Sequence, residues 1–254
     1  MSELTVVLPA YNEEGNLNEL IRRWQGYKDT LQTHYSLGLK IVVVNDGSSD
    51  QTKVIAEKLQ KSCENFILIN HKTNKGLGEA LKTGFDYVLK NQPDSSYVCV
   101  MDCDNTHDPK YIIEMLTKQQ ITKADVVIAS RYQKGASIKG LSRFRRFTGQ
   151  AAKYIYLTAL HVKGIRDYTC GYRLYKREIL EKLSERFRDK MIEESGFTCM
   201  TELLYKLYVC GAIFQEVPFE LRYDFKEGTS KMKVLRTTIN SLKLVINLKK
   251  MKKV

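Results

Sequence analysis

Two carboxylates two residues apart, Asp102 and Asp104, follow the apolar run Tyr97–Met101. On an extended segment, positions i and i+2 share a side, so the pair offers oxygens suited to a hard divalent cation such as Mg2+ or Mn2+. Such a cation neutralises a diphosphate. An acidic pair in a turn is ordinarily just solvated; the place of this one after a buried strand gives it weight.

Three further strand ends carry polar or turn residues: Pro9-Ala10-Tyr11-Asn12-Glu13, Asn45-Asp46-Gly47-Ser48-Ser49-Asp50 and Ser130-Arg131-Tyr132. Open parallel sheets bind ligands beyond the carboxyl ends of their strands, where loops and helix N-termini converge. All four ends are expected on one edge. Asp46 reads either as a turn residue before an N-capped helix or as a carboxylate for a base or ribose. Asn74-Lys75-Gly76-Leu77-Gly78 could bring Lys75 and the backbone of Gly76 near phosphate, although it is neither GxGxxG nor GxxxxGK. With no HExxH, GxSxG or Cys/His cluster, hydrolase and zinc readings lack their residues.

The elements that must position these residues alternate. Leu4–Leu8, Lys40–Val44, Phe66–Ile69, Tyr97–Met101 and Asp125–Ala129 read as buried strands, and Glu13–Leu31, Asp50–Lys61, Leu77–Lys90 and Pro109–Lys118 as helices. That alternation predicts an α/β fold with a mostly parallel sheet between helices. Beyond Arg131 come a Gly- and Arg-rich stretch (Gly135–Arg146), helices over Phe147–His161 and Thr198–Val209, a strand over Phe214–Tyr223 and a loop over Asp224–Lys231. The 254 residues suffice for one core. The expected plan is a domain over 1–232, divided into functional halves over 1–131 and 132–232 with the second serving an acceptor, followed by a basic amphipathic helix over 233–254.

Six cysteines without CxxC or ligand spacing point to free thiols and the cytosol. No leader pattern and no bilayer-length apolar run are present, so the expectation is a cytoplasmic protein, peripheral on a membrane. The net charge is +12, and the segment from Lys226 to Val254 carries +8 of it. A nucleic-acid-binding module would account for the charge but not for acids clustered at strand ends, where phosphates are repelled. A non-catalytic scaffold is the other alternative, set against the presence of Asp46, Asp102 and Asp104.

Val-Val-Leu-Pro-Ala-Tyr-Asn-Glu-Glu, Val-Val-Asn-Asp-Gly-Ser-Ser-Asp-Gln-Thr, Asn-Lys-Gly-Leu-Gly, Met-Asp-Cys-Asp and Ala-Ser-Arg-Tyr, in this order, resemble family 2 glycosyltransferases. Within that family the chain is most similar to dolichyl-phosphate and polyprenyl-phosphate sugar transferases, through Asp102–Pro109, Asp167–Tyr175, Glu216-Val217-Pro218 and Gly228–Lys231. The resemblance implies a GT-A fold and a nucleotide-sugar donor held by Pro9, Tyr11, Glu13 and Asp46, to which the position of Lys75 and Gly76 before a helix adds contacts to phosphate. It implies Mg2+ or Mn2+ on Asp102 and Asp104, with Arg131 and Lys231 toward the sugar diphosphate or acceptor phosphate. Asn45 stands where the family has Asp, Thr106 where some relatives have Gln or Ser, and Phe225 where an arginine is frequent, with Arg222 or Lys226 as substitutes.

The resemblance further implies inversion by in-line attack. A polyprenyl phosphate acceptor is already anionic and needs positioning by Arg131 and Lys231, whereas a saccharide hydroxyl needs a carboxylate base, for which Glu193, Glu194 or Glu202 are candidates. Tyr154, Tyr156, Tyr168, Tyr172 and Tyr175 are core residues or groove liners, and His107 and His161 are structural. In the tail, Leu235, Ile239, Leu242 and Ile246 recur at helical spacing beside Arg236 and Lys243. Such a helix lies on an anionic membrane surface, docks on the domain, or meets an integral-membrane partner.

Overall fold

The computed structural model describes residues 2–94, 96–225 and 234–251, with the side chains of 144, 147 and 234–239 left aside. Its strands are β1 (Glu3–Ala10), β2 (Gly38–Asn45), β3 (Phe66–Asn70), β4 (Tyr97–Val100), β5 (Val126–Ser130), β6 (Ser137–Lys139), β7 (Arg173–Lys176), β8 (Phe214–Pro218) and β9 (Glu220–Arg222). The helices are α1 (Leu17–Gln25), α2 (Lys28–Tyr35), α3 (Thr52–Ser62), α4 (Leu77–Asn91), α5 (Tyr111–Thr122), α6 (Arg143–Leu160), α7 (Arg177–Phe187), α8 (Cys199–Val209) and α9 (Val234–Leu248).

Val, Ile and Leu fill β1, β2 and β5 because helices cover both faces of the sheet, leaving those strands almost wholly buried. The main sheet runs β3-β2-β1-β4-β7-β5-β8. All neighbours are parallel except β7, which is antiparallel to both β4 and β5. From β1 the chain builds outward through β2 to β3, then returns to place β4 on the other side of β1. That reversal opens a crevice beyond the carboxyl ends of β1 and β4, where such sheets take ligands.

The expected first helix is two helices. The chain bends at Gly26 and Tyr27, and the second helix restarts with Leu31 N–H donating to Tyr27 O. Trp24 and Leu31 are then buried from separate axes. The expected strand Phe214–Tyr223 is also divided: β8 joins the main sheet, while β9 pairs with β6 in a separate two-stranded sheet. Helix α6 begins four residues before the expected Phe147, capped by Ser142, whose hydroxyl accepts from Arg145 N–H.

Strand β7 and helix α7 are absent from the expectation. Polar ends disguise β7, for Arg173 and Lys176 flank only Leu174 and Tyr175. Arg173 is nevertheless buried, because its guanidinium donates to the carbonyls of Tyr168, Cys170 and Met200 at 2.8–2.9 Å. A buried charge whose three nitrogens each make a hydrogen bond is tolerated where an unpaired one is not.

Candidate functional site

The loops after β1 and β2 are stitched together. Asn12 N–H donates to Ser48 Oγ, Ser49 N–H to Asn12 Oδ1, Glu13 N–H to Thr52 Oγ1, and Gln51 N–H to Glu14 Oε2. Asn12 has φ of +54°, a left-handed conformation that asparagine adopts more readily than most residues. Pro9 lies within β1, and Tyr11 and Glu13 lie half-buried in this floor, with Glu13 Oε2 accepting from Asn16 Nδ2.

Asp46 is buried beneath the floor. Its carboxylate accepts from the backbone N–H of Lys75 (2.9 Å) and Gly76 (2.8 Å), and His71 Nδ1 stands 2.7 Å from Oδ1. The other ring nitrogen of His71 reaches Thr83 Oγ1 at 2.9 Å. Asp46 therefore ties the end of β2 to the start of α4 and fixes Lys75 and Gly76. Gly76 (φ +93°) and Gly78 approach the 192–195 segment so closely that a Cβ would meet Ser195 O at 2.4 Å and Glu194 O at 2.0 Å.

The polar switch-point residues lie at the ends of β1 and β4. Asp104 is nearly buried, and its Oδ1 accepts from Thr106 Oγ1 at 2.6 Å and Thr106 N–H at 3.2 Å. The Asp102 side chain retains 38% exposure, with His107 Nε2 4.0 Å from its Oδ2. His107 itself is packed between Tyr172 and Phe219. Among the described residues, no three His, Cys, Asp or Glu side chains are grouped to hold a metal alone. Two carboxylates completed by substrate phosphate oxygens and water are the usual Mg2+ arrangement, so this donor set fits a divalent cation.

Beside the pair opens a cavity of about 550 Å³. Its lining includes the charged Asp102, Asp104, Arg131, Arg145 and Arg146 and the apolar Ile138, Leu141, Ala152, Ile155, Phe197 and Leu221. Arg131 donates through Nε and Nη2 to both oxygens of Asp167, at 2.8 and 2.6 Å, and through Nη2 to Thr169 Oγ1. Burial opposes charge on both partners, but their mutual attraction and hydrogen bonds outweigh it: Arg131 is held above the ordinary arginine value and Asp167 below the ordinary aspartate value.

The structure thus brings Asp102, Asp104 and Arg131 to one cavity and places Asp46, Lys75 and Gly76 in the adjoining β2–α4 layer. Lys231, with Lys226 and the Gly228–Lys231 run, lies outside the described residues. Arg222 is paired with Asp224 and lies over the Phe225 ring. Arg145 and Arg146 are additional cavity residues, masked in the sequence by a stretch that reads as loop.

The three glutamates considered as bases are engaged elsewhere. Glu202 is buried, accepting from the N–H groups of Glu193 and Glu194 and from Lys206 Nζ; Glu193 also contacts Lys206, and Glu194 accepts from Thr198 Oγ1. Tyr156, Tyr168, Tyr172 and Tyr175 are core residues, Tyr156 also lining the cavity, while Tyr154 is exposed.

Helix α9 packs on α6 and α8. Ser241, Leu244, Val245 and Leu248 are buried, whereas Leu242 and Ile246 remain 50% and 60% exposed beside Lys243, Lys249 and Lys250. The Leu235, Arg236 and Ile239 side chains lie outside the described residues. No helix among the described residues is long and apolar enough to cross a membrane.

A family model described as "Glycosyl transferase family 2" matches residues 5–184. Polyprenol monophosphomannose synthase of Mycolicibacterium smegmatis is 31% identical over 228 residues, covering 89% of this chain and 80% of that protein. Dolichyl-phosphate beta-glucosyltransferase ALG5A of Trichomonas vaginalis is 30% identical over 237 residues, covering 91% of this chain and 68% of that protein. Among solved structures, S. aureus TarS 1-349 in complex with UDP superimposes with a TM-score of 0.61 at 15% identity, over 97% of this chain and 65% of that one. Mannosyltransferase PcManGT from Pyrobaculum calidifontis, in complex with GDP-Man and Mn2+, gives 0.60 at 16% identity, over 97% and 62%. These two likenesses concern the fold, which is of the GT-A type.

Proposed function

The chain belongs to glycosyl transferase family 2 and is a glycosyltransferase, and from that premise we propose that it moves a sugar from a nucleotide-sugar donor to a polyprenyl phosphate with inversion at the anomeric carbon. The observation that carries this reading is the mixed lining of the cavity. Two carboxylates and three arginines share it with the apolar side chains of Ile138, Leu141, Ile155, Phe197 and Leu221, a combination that suits an acceptor made of a phosphate joined to a hydrocarbon. The names of the two relatives point to the same acceptor class.

In this reading the floor formed by Pro9, Tyr11, Glu13 and the Asp46–Lys75–Gly76 tie holds the nucleotide, and Asp102 and Asp104 hold Mg2+ or Mn2+. A bound cation would stabilise charge on the departing nucleoside diphosphate. Arg131, Arg145 and Arg146, with Lys231, receive the acceptor phosphate and aim one oxygen at the anomeric carbon from the side opposite the leaving group. That oxygen is anionic at neutral pH, so the attack needs no proton acceptor. The bonds already made by Glu193, Glu194 and Glu202, none of which lines the cavity, fit a reaction without a general base. A saccharide-hydroxyl acceptor would require one.

Residues 1–131 serve the donor, with Arg131 at their end turned to the acceptor, and 132–232 supply the rest of the acceptor site. The outer stripe of α9, with Leu242, Ile246 and its lysines, rests on an anionic membrane surface at the cytoplasmic face, alone or beside an integral-membrane partner. Nucleic acid has no part in this reading. The test is to supply labelled nucleotide sugars with either a polyprenyl phosphate or the matching polyprenol. Transfer to the phosphate alone supports the proposal; transfer to the free alcohol would replace it with a hydroxyl acceptor.

A further inference from the structure

Glu216 lies on β8 outside the cavity wall, yet it is a buried carboxylate. Its Oε1 accepts from the backbone N–H groups of Arg166 (2.9 Å) and Asp167 (2.8 Å), and its Oε2 from Gln133 Nε2 (2.8 Å). Those bonds fix the turn that carries Asp167. The carboxylate of Asp167 in turn accepts from the backbone N–H groups of Arg131, Thr169 and Cys170 and forms the two-point pair with the Arg131 guanidinium. Glu216 is thus hydrogen-bonded to the backbone of Asp167 itself, whose carboxylate holds a cation on the cavity wall.

Burying a carboxylate is costly, and here burial pushes the Glu216 pKa upward in spite of its three donors. A helix or strand of this size does not need a charge in its interior to stay folded. The arrangement holds a side chain at a fixed angle instead: Arg131 has four rotatable bonds, and the pair with Asp167 is directional only if the Asp167 backbone is itself immobile.

We propose that Glu216 is a positioning residue for sugar transfer, which fixes the Arg131 guanidinium through the 166–167 backbone and Asp167. This assignment rests on reading the cavity as the acceptor site. It gives the Glu216-Val217-Pro218 run a role that the donor and metal residues leave unexplained.

The test uses the full chain with Glu216→Ala and Glu216→Gln. The glutamine keeps an oxygen for the two N–H groups, and the Gln133 amide can turn to accept from its nitrogen. With Glu216→Ala, kcat falls about 100-fold, the loss that an ångström of misplacement brings, while donor affinity is unchanged. Glu216→Gln recovers to within about threefold of wild type, given that a conserved acceptor restores the geometry. In an Arg131→Met background, Glu216→Ala has no further effect. As a readout independent of the acceptor, the Arg131 Nε–H resonance is sharp and slow to exchange in wild type and Glu216→Gln, and broadened in Glu216→Ala. If Glu216→Ala does not fold, Gln133→Leu, which removes only the outer donor, shows the same effects at smaller size. Additive losses with Arg131→Met, or an unaltered Arg131 resonance in folded Glu216→Ala, would overturn the assignment. Failure of wild-type protein to use polyprenyl phosphate would count against the acceptor reading alone, because the resonance still decides the role of Glu216.

Discussion

Gly171 faces Asp102 so closely that a Cβ on the glycine would stand 2.8 Å from Asp102 Oδ1. The missing side chain is what lets the carboxylate rest beside Cys170 and the cavity. The atom that would be met is the tip of a flexible side chain, so Gly171→Ala is expected to turn the carboxylate aside and leave the fold intact. Mn2+ binding, followed by electron paramagnetic resonance in the presence of UDP or GDP, is predicted to weaken roughly 10-fold, as for other supporting residues of metal sites. Unchanged Mn2+ affinity would show that Asp102 has no role in holding the ion.

Gly78 presents the opposite case. An added Cβ would meet Glu194 O at 2.0 Å, and that atom belongs to a backbone held by Glu202 and, through Glu202, by Lys206. Gly78→Ala is therefore expected to destabilise the chain by about 1–3 kcal/mol or more through overpacking. A urea midpoint equal to wild type would mean that the 192–195 segment yields freely.

Asp46→Asn removes one charged acceptor from a set that engages Lys75 N–H, Gly76 N–H and His71. Hydrogen bonds to a charged group contribute about 1.5–3 kcal/mol each, and the variant is expected to lose roughly the value of one. Amide exchange at Lys75 and Gly76 should accelerate in parallel. Donor affinity lost with exchange unchanged would instead make Asp46 a direct ligand of the nucleotide.

The Arg131–Asp167 pair predicts an acid limb. Burial raises the Asp167 carboxyl, but Arg131 and the backbone donors overcome this and hold it below the ordinary aspartate value. The unfolded chain then takes up the proton first as pH falls. The stabilisation is complete above the ordinary aspartate value and is lost as pH drops toward the folded one. Urea midpoints measured from pH 7 to pH 3 should show that decline. Arg131→Met with Asp167→Leu should remove this part of the slope and also lower neutral-pH stability, because the backbone N–H groups of Arg131, Thr169 and Cys170 lose the buried acceptor they share.

The strand ends were legible because β1, β2, β4 and β5 are buried on both faces, so apolar runs stop abruptly at Tyr11, Asp46, Asp102 and Arg131. The α/β class, the parallel majority and the single edge follow from that pattern. The place of β7 did not, since Arg173 reads as a surface residue until the carbonyls of Tyr168, Cys170 and Met200 are seen around it. The part of the chain beyond Arg131 was harder for the same reason. Arg145 and Arg146 sit in a Gly- and Arg-rich stretch, and only the start of α6 at Arg143 brings them to the cavity. The bonds of Asp46 reach His71, Lys75 and Gly76, which are distant in sequence, and spacing carries no trace of them.

Asp102 and Asp104 are assigned to a metal-assisted transfer of sugar onto a lipid phosphate. The most direct test of that assignment follows radiolabel from a panel of nucleotide sugars into organic solvent, with polyprenyl phosphate and Mg2+ or Mn2+, for wild type and Asp104→Ala. The expected outcome is a labelled lipid that requires the metal and is lost in the variant. Lipid labelling that persists in chelator or in Asp104→Ala would contradict it.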